Sequence, residues 1–379
     1  MRGYVYQRGK TYTFIVDVGR DPKTGKRKQK TKGGFKRKKD AEAALNKLLA
    51  KIEEGSYFEP SKEEFSSFFE NWFYKQYKRE VSETTFSNQI YLMNKHLIEE
   101  NPFSTKALSD VTAEDIDELY TQKLDLDYSA SYIRKMHYLL DGAFTKAVKW
   151  RRIPYNPVKD ADPPAIKKEE MKVWSYESVH RFLETCKGDR HYIIFVLAIK
   201  TGMRRGEILG LKWADIDFEN KTIDVKRSLA YIPKKGYVFT DLKNKSSRRK
   251  VPISDEVVSE LLKHKKEQDK WKEQLQDAYE DNDFVVCTEF GKHQDPRNVL
   301  RVMKRMCKEA GVPIIRFHDL RHTHASILLT NGVDPVRVAN RVGHANARVT
   351  SEVYAHIIPD EPDEVAEIFE DALKTRQKR

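Results

Sequence analysis

Cysteine is scarce in this chain and badly placed for cross-linking. Cys186, Cys287 and Cys307 are odd in number and far apart among 379 residues, which excludes a disulfide framework and offers no CxxC clamp for a metal. A reducing cytoplasm suits such a composition. Long apolar runs are also missing: the longest, Tyr192 to Ile199, is less than half of the ~20 residues a membrane-spanning helix needs. Residues 1–20 have no apolar signal-peptide core either, so the expectation is a soluble, unexported, cytoplasmic protein with no membrane partner. Internal repeats and low-complexity tracts are absent. Negative charge is thin at one end only. Residues 1–50 hold 15 Lys/Arg against 4 Asp/Glu, so nearly all of the net charge of +12 sits at the N-terminus and asks for a polyanionic partner there.

What is present divides into segments, as the length suggests. Tyr4 to Tyr6, Thr11 to Val18 and Gly25 to Thr31 read as three strands, with turns at Arg8-Gly9-Lys10 and Asp21 to Gly25. Alternation puts Tyr12, Phe14, Val16 and Val18 on one face. Ala41, Ala44, Leu45, Leu48, Leu49 and Ile52 then form one helical stripe that can cover it. Lys26, Lys28 and Lys30 share one side of the third strand, giving a small basic sheet narrow enough for a major groove of ~12 Å. From Ser61 to Trp150 the pattern is helical: Phe65, Phe68, Phe69, Trp72 and Phe73 mark a buried face, and Thr112 to Asp115 resembles a capping box. Ile133, Met136, Leu140, Phe144 and Val148 repeat at helical intervals. Four prolines between Arg151 and Lys172 predict an extended connector and the main boundary. Beyond it, Ser175 to Cys186 and His191 to Ile199 read as helices, Lys221 to Arg227, Tyr237 to Leu242 and Arg249 to Ile253 as one small antiparallel sheet, and the remainder as helix.

The chemistry-bearing residues lie in the second half. Thr201-Gly202-Met203-Arg204-Arg205-Gly206-Glu207, His318-Asp319-Leu320-Arg321, Gly343-His344 and Tyr354 supply two arginines, two histidines and a phenol, a set suited to attack of a phenolate on a phosphodiester. An arginine fork can hold two non-bridging phosphate oxygens and the extra charge of the transition state. Arg204 follows an apolar helix and precedes Glu207, whose carboxylate can orient it, whereas Arg205, Arg316 and Arg341 read as surface ion pairs. His318 and Arg321 share a helical face. His318, His322 and His324 invite a zinc reading, which fails because no HExxH glutamate or nearby cysteine completes the set. Ionising Tyr354 at neutral pH costs about 4 kcal/mol unless neighbouring cations and bases lower it. Ten helical residues would place His344 and Tyr354 about 15 Å apart, so the spacing demands a break, which Ala345 to Arg348 can provide, with Thr350 or Ser351 capping a last short helix. Lys243, on the turn before Arg249 to Ile253, is placed to protonate a leaving oxygen; Lys245 is a rival.

Taken in order, these segments resemble the tyrosine recombinases, specifically the three-domain integrases of prophages and integrative conjugative elements of Gram-positive bacteria. The departure from the pattern is Gly206, where many members carry serine. The resemblance implies a mainly helical, multidomain fold: residues 1–57 as an arm-type DNA-binding sheet plus helix, 61–155 as a helical core-binding domain, 156–172 as a linker, and 173–379 as a mostly helical catalytic domain with a small sheet. It implies a catalytic set of Arg204, Lys243, His318, Arg321, His344 and the nucleophile Tyr354, with Glu207 in support and Lys26, Arg27, Lys28, Lys30 and Lys32 on arm DNA. Strand exchange would pass through a 3′-phosphotyrosyl link and need no metal, nucleotide or other cofactor. The implied partners are double-stranded DNA at core and arm sites, a homotetramer on that DNA, and possible host DNA-bending and excisionase proteins, with Val365, Ile368, Phe369 and Leu373 forming a helix that docks on a neighbour or on its own domain. A type IB topoisomerase would use the same residues to reseal one strand, a silent regulator would keep the fold without cutting, and a metal-dependent nuclease would stop in EDTA.

Overall fold

Residues 3–20, 26–54, 61–167, 171–242 and 248–344 are described by the computed structural model, without the side chains of residues 19 and 20. The turn at Asp21 to Gly25, the lysine turn at 243–247 and everything after His344 lie outside them, so Lys243, Lys245, Tyr354 and the C-terminal stretch carry no structural account. The chain divides into two compact units, Met1–Lys167 and Lys168–Arg379.

In the first unit, β1 (Gly3–Arg8), β2 (Thr11–Arg20) and β3 (Arg27–Phe35) form an antiparallel sheet in that order, and α1 (Lys38–Glu53) covers one face. Phe14, Val16 and Leu45 are buried between sheet and helix, with Val18, Leu48, Leu49 and Ile52 packed around them, as the two periodicities require. The basic face is arranged differently from the expectation. Val16 pairs with Lys30 and Phe14 with Lys32, and residues opposite each other in an antiparallel pair point to the same side. Lys30 and Lys32 therefore project on the helix side, along the sheet edge that β3 forms. The uncovered face carries Tyr4, Tyr6 and Ile15 beside Thr31, and Arg27 is tied to Asp17 at 2.6 Å.

A helical bundle completes this unit. It comprises α2 (Phe65–Trp72), which runs on through a π turn at Phe73–Tyr77, α3 (Glu83–Leu92), continued by a π turn at Met93–Glu99, α4 (Ala113–Asp125) and α5 (Ala130–Lys149). The five aromatic residues read from the sequence are all buried, and the Phe65 ring lies 5.0 Å from Phe103 and 5.6 Å from Phe144. The capping box at the start of α4 is present: Asp115 N donates to Thr112 Oγ1 and Thr112 N to Asp115 Oδ2. The proline-rich stretch is less of a connector than its composition suggests. Ile153, Val158 and Ala161 are buried in the bundle, Asn156 Nδ2 donates to Asp141 Oδ1 at 2.7 Å, and Arg134 Nε donates to Pro164 O at 2.8 Å. Prolines end helices but leave the apolar side chains between them free to pack.

In the second unit, α6 (Tyr176–Cys186), α7 (Tyr192–Thr201), α8 (Arg205–Leu209), α9 (Asp255–Leu275), α10 (Pro296–Glu309), α11 (Phe317–Thr330) and α12 (Pro335–Val342) surround two small sheets. Every residue of α7 from Ile193 to Ile199 is buried, which makes this short helix the axis of the core. The expected single sheet is two. β4 (Ile216–Asp217), β5 (Thr222–Val225) and β8 (Arg249–Pro252) form one, and β6 (Arg227–Ile232) pairs with β7 (Gly236–Asp241) in a separate hairpin. Only Lys226 separates β5 from β6, so the sequence shows no turn signal where the chain changes sheets. Cys186 and Cys307 are buried free thiols, and among the described residues no helix is long and apolar enough to cross a membrane.

Candidate active site

The site grows from the C-terminal end of α7. A helix leaves its last carbonyls without intrahelical partners and carries partial negative charge there, so nearby cationic and neutral donors are stabilising. Here distant residues supply them. His324 Nδ1 lies 2.8 Å from Ile199 O, Arg341 Nη2 donates to Lys200 O at 3.2 Å, and Arg321 Nη1 donates to Gly202 O at 2.8 Å. Gly202 closes the helix at a φ of 68°, and a Cβ there would stand 2.7 Å from His324 Cδ2, so both conformation and space require glycine.

Arg204 is the next element out, in extended conformation at the cap of α8. Its backbone N donates to Glu207 Oε2 at 2.9 Å, its Nη1 to Glu207 Oε1 at 2.7 Å and its Nη2 to Gly343 O at 2.8 Å. Glu207 thus orients the guanidinium as expected, and the third contact brings the Gly343-His344 segment alongside from the end of α12. That helix stops at Val342 with Gly343 at a φ of 70°. The chain therefore leaves helical geometry before His344; the break expected at Ala345 to Arg348 lies outside the described residues.

His318 and Arg321 lie in the first turns of α11, with Arg321 only 2% exposed. The His318 ring meets His322 edge-on at 4.9 Å. Partial burial, then His322, Arg321 and Arg204, hold the His318 pKa below its ordinary value, although the ring keeps an open edge to solvent. His344 is pushed down to about 4 by burial and then by Arg321 and Arg204. Both rings are therefore neutral near pH 7, where each can accept or relay a proton. The structure brings Arg204, Glu207, His318, Arg321 and His344 together from three segments.

Two arginines outside the expected set belong to this framework. Arg341, read in the sequence as a surface ion pair, donates from Nε to His324 Nε2 at 3.0 Å and from Nη1 to Pro252 O at 3.1 Å, besides capping α7. Carbonyls and an imidazole, unlike carboxylates, leave no charge pattern in a sequence. With Nε2 accepting, His324 donates from Nδ1 to Ile199 O, a neutral tautomer in keeping with a pKa lowered to about 4 by burial and by Arg341. Both its nitrogens are engaged by protein, and among the described residues no group of three His, Cys, Asp or Glu side chains is placed to hold a metal ion. Arg249 is the second, with both terminal nitrogens on Glu207. Of the other bland readings, Arg316 does pair with Asp319 at an exposed position, while Arg205 reaches Pro296 O at 3.5 Å.

Gly206 has a local reason. A Cβ there would lie 2.3 Å from Ser228 Oγ and 2.8 Å from Leu229 O, because β6 packs directly on α8. Gly206→Ser should therefore cost about 1–3 kcal/mol by overpacking, measured as a lowered unfolding midpoint. Adding Ser228→Gly should recover only part of the loss, since the Leu229 carbonyl is backbone; an unchanged midpoint for Gly206→Ser would show that the hairpin yields freely.

Comparison with known proteins identifies the family. Residues 172–361 match the phage integrase family and residues 4–52 an Arm DNA-binding domain. The chain is 29% identical over 385 residues to a tyrosine recombinase XerC-like protein of Caldanaerobacter subterraneus subsp. tengcongensis, covering 97% of this chain and 98% of the relative. It is 26% identical over 274 residues to the ICEBs1 integrase of Bacillus subtilis, covering 72% of this chain and 74% of the relative. Among solved structures, the Tn1549 transposon integrase in complex with transposon right end DNA superposes with a TM-score of 0.70 at 22% identity, over 82% of this chain and 100% of the other. A lambda integrase tetramer bound to a Holliday junction gives 0.53 at 18% identity, over 90% of this chain and 96% of the other. The structures show a shared mainly helical fold, and the family match spans half of the chain. This chain belongs to the phage integrase family and is a tyrosine recombinase, an enzyme that breaks and rejoins DNA.

Proposed function

We propose that the chain integrates and excises a mobile element by site-specific strand exchange, with Tyr354 attacking the scissile phosphate to give a 3′-phosphotyrosyl link and a free 5′-hydroxyl. The hydroxyl then attacks the matching link on a partner duplex. Arg204, Arg321 and His344 hold the non-bridging oxygens and the charge that develops on them, His318 assists proton transfer, and Lys243 protonates the leaving 5′-oxygen. Bond energy is kept in the protein-DNA ester, so the exchange needs no nucleotide.

The convergence of Arg204, Arg321, His318 and His344 carries this reading. Burial lowers both imidazole pKa values and the two guanidiniums lower them further, the mark of a positive potential suited to a phosphodiester. Trapping tests it directly. With full-length protein and a nicked suicide duplex, a covalent adduct should form in EDTA and its DNA-linked peptide should contain Tyr354; no adduct without added divalent metal would sink the proposal.

In this reading residues 1–57 contact distal arm DNA through Lys26, Arg27, Lys28, Lys30 and Lys32, residues 61–155 grip the core site with the catalytic domain, and a homotetramer in the cytoplasm holds two duplexes, with host bending and excisionase proteins as possible accessories. The match of residues 4–52 to an Arm DNA-binding domain favours a two-site recombinase over a topoisomerase. Deleting residues 1–55 should abolish arm-site binding and recombination while leaving core cleavage within about threefold. The deletion should also flatten the salt dependence of binding, because each phosphate that the shortened protein leaves unneutralised takes about one unit off the log-log slope. A larger fall in core cleavage than in arm binding would reverse the two domain roles.

A further inference from the structure

Arg249 opens β8, six residues after Lys243 in the chain, and is half-buried. Its Nη1 and Nη2 donate to the two oxygens of Glu207 at 3.2 and 3.0 Å, and its Nε donates to Arg341 O at 2.8 Å. Its side chain is only 7% exposed and that of Glu207 1%, so this pair is interior to the domain and is not a grip on DNA. A planar fork on a carboxylate fixes direction as well as distance, which a lysine ammonium cannot reproduce.

We propose that Arg249 is a positioning residue for the cleavage step: it clamps Glu207, which orients Arg204, and thereby ties β8 to the phosphate-holding guanidinium. The inference rests on the reading of Arg204 as a phosphate ligand. One carboxylate serves two arginines, one from β8 and one from the cap of α8, and the Arg249 contact to Arg341 O adds α12, whose end carries Gly343 and His344. Arg249 thus joins the three strands of chain that must keep register around one phosphate.

Burial alone would raise the Glu207 pKa, but the hydrogen bonds and charge of Arg249, then those of Arg204, more than offset it and hold the carboxyl below its ordinary range. A depressed carboxylate keeps its interactions above the unfolded pKa and loses them as pH falls through the folded value. Without Arg249 that folded value rises, so the loss begins at higher pH.

The experiment measures single-turnover adduct formation by full-length protein on a nicked suicide duplex from about pH 5 to about pH 9, for Arg249→Met, Arg249→Lys and the double variant Arg249→Met/Glu207→Gln. Arg249→Met should bind core DNA normally, form adduct about 100-fold more slowly, as a misplacement of about 1 Å predicts, and show an acid limb moved to higher pH. Arg249→Lys should recover part of the rate and of the limb, and the double variant should lose the limb's displacement because no carboxylate is left to titrate. Should Arg249→Met fail to fold, the acid limb of Arg249→Lys decides. Rates and limbs equal to the parent overturn the inference, provided Arg204→Ala is inactive; an active Arg204→Ala overturns the underlying reading instead.

Discussion

Tyr354→Phe should bind core DNA as tightly as the parent and form no covalent adduct with a suicide duplex, a complete loss and the largest effect expected of any substitution here. The change removes one oxygen and leaves the ring. At neutral pH a free phenol is about 0.1% ionised, and bringing it to phenolate costs about 4 kcal/mol. A cluster holding Arg204 and Arg321 beside two neutral imidazoles can lower that cost and accept the proton. Burial pushes Tyr192 of the same unit up to about 12, the opposite of what a nucleophile needs. Binding is measured by titration in the absence of cleavage and adduct formation by denaturing gel. An adduct that persists in the Phe variant would move the nucleophile to another residue and take the proposed chemistry with it.

Lys243→Ala should slow cleavage of ordinary DNA by about 10²–10⁴-fold, the usual worth of general acid catalysis. Replacing the 5′-bridging oxygen by sulfur should restore most of that rate, because a thiol of pKa about 8.5 departs as the thiolate without needing a proton, whereas an alkoxide does not. The rescue separates proton donation from phosphate contact, which sulfur at the bridging position would not relieve. Lys245→Ala should lose far less on the ordinary duplex and show no specific gain on the sulfur one. If the two lysines exchange behaviour, the acid is Lys245.

Much of the architecture was readable from local pattern. The stripe from Ala41 to Ile52, the aromatic run from Phe65 to Phe73 and the box at Thr112 to Asp115 each describe what a residue does to neighbours three or four positions away, and such interactions survive without knowledge of the fold. Arg204 with Glu207 was legible for the same reason, since the two are three residues apart, at the cap and in the first turn of one short helix. The hairpin of β6 and β7 was not, because a single residue marks the change of sheet. Neither was the side on which Lys30 and Lys32 project, since bulges within the β2-β3 pair shift the register between Tyr12 and Phe14 and between Asp17 and Gly19.

The amino-acid order by itself determined the helical segments, the N-terminal strands, the basic N-terminal end and the kinds of side chain available for phosphate chemistry, because each depends on composition or on spacings of a few residues. Tertiary structure alone decided that Arg321 and Arg341 cap the end of α7 and that Arg204 reaches a carbonyl 139 residues away. It likewise decided that Arg249 shares Glu207. The physical reason lies in the acceptors: every residue carries a backbone carbonyl, so a helix end left without partners has no signature in the sequence until folding brings a donor to it.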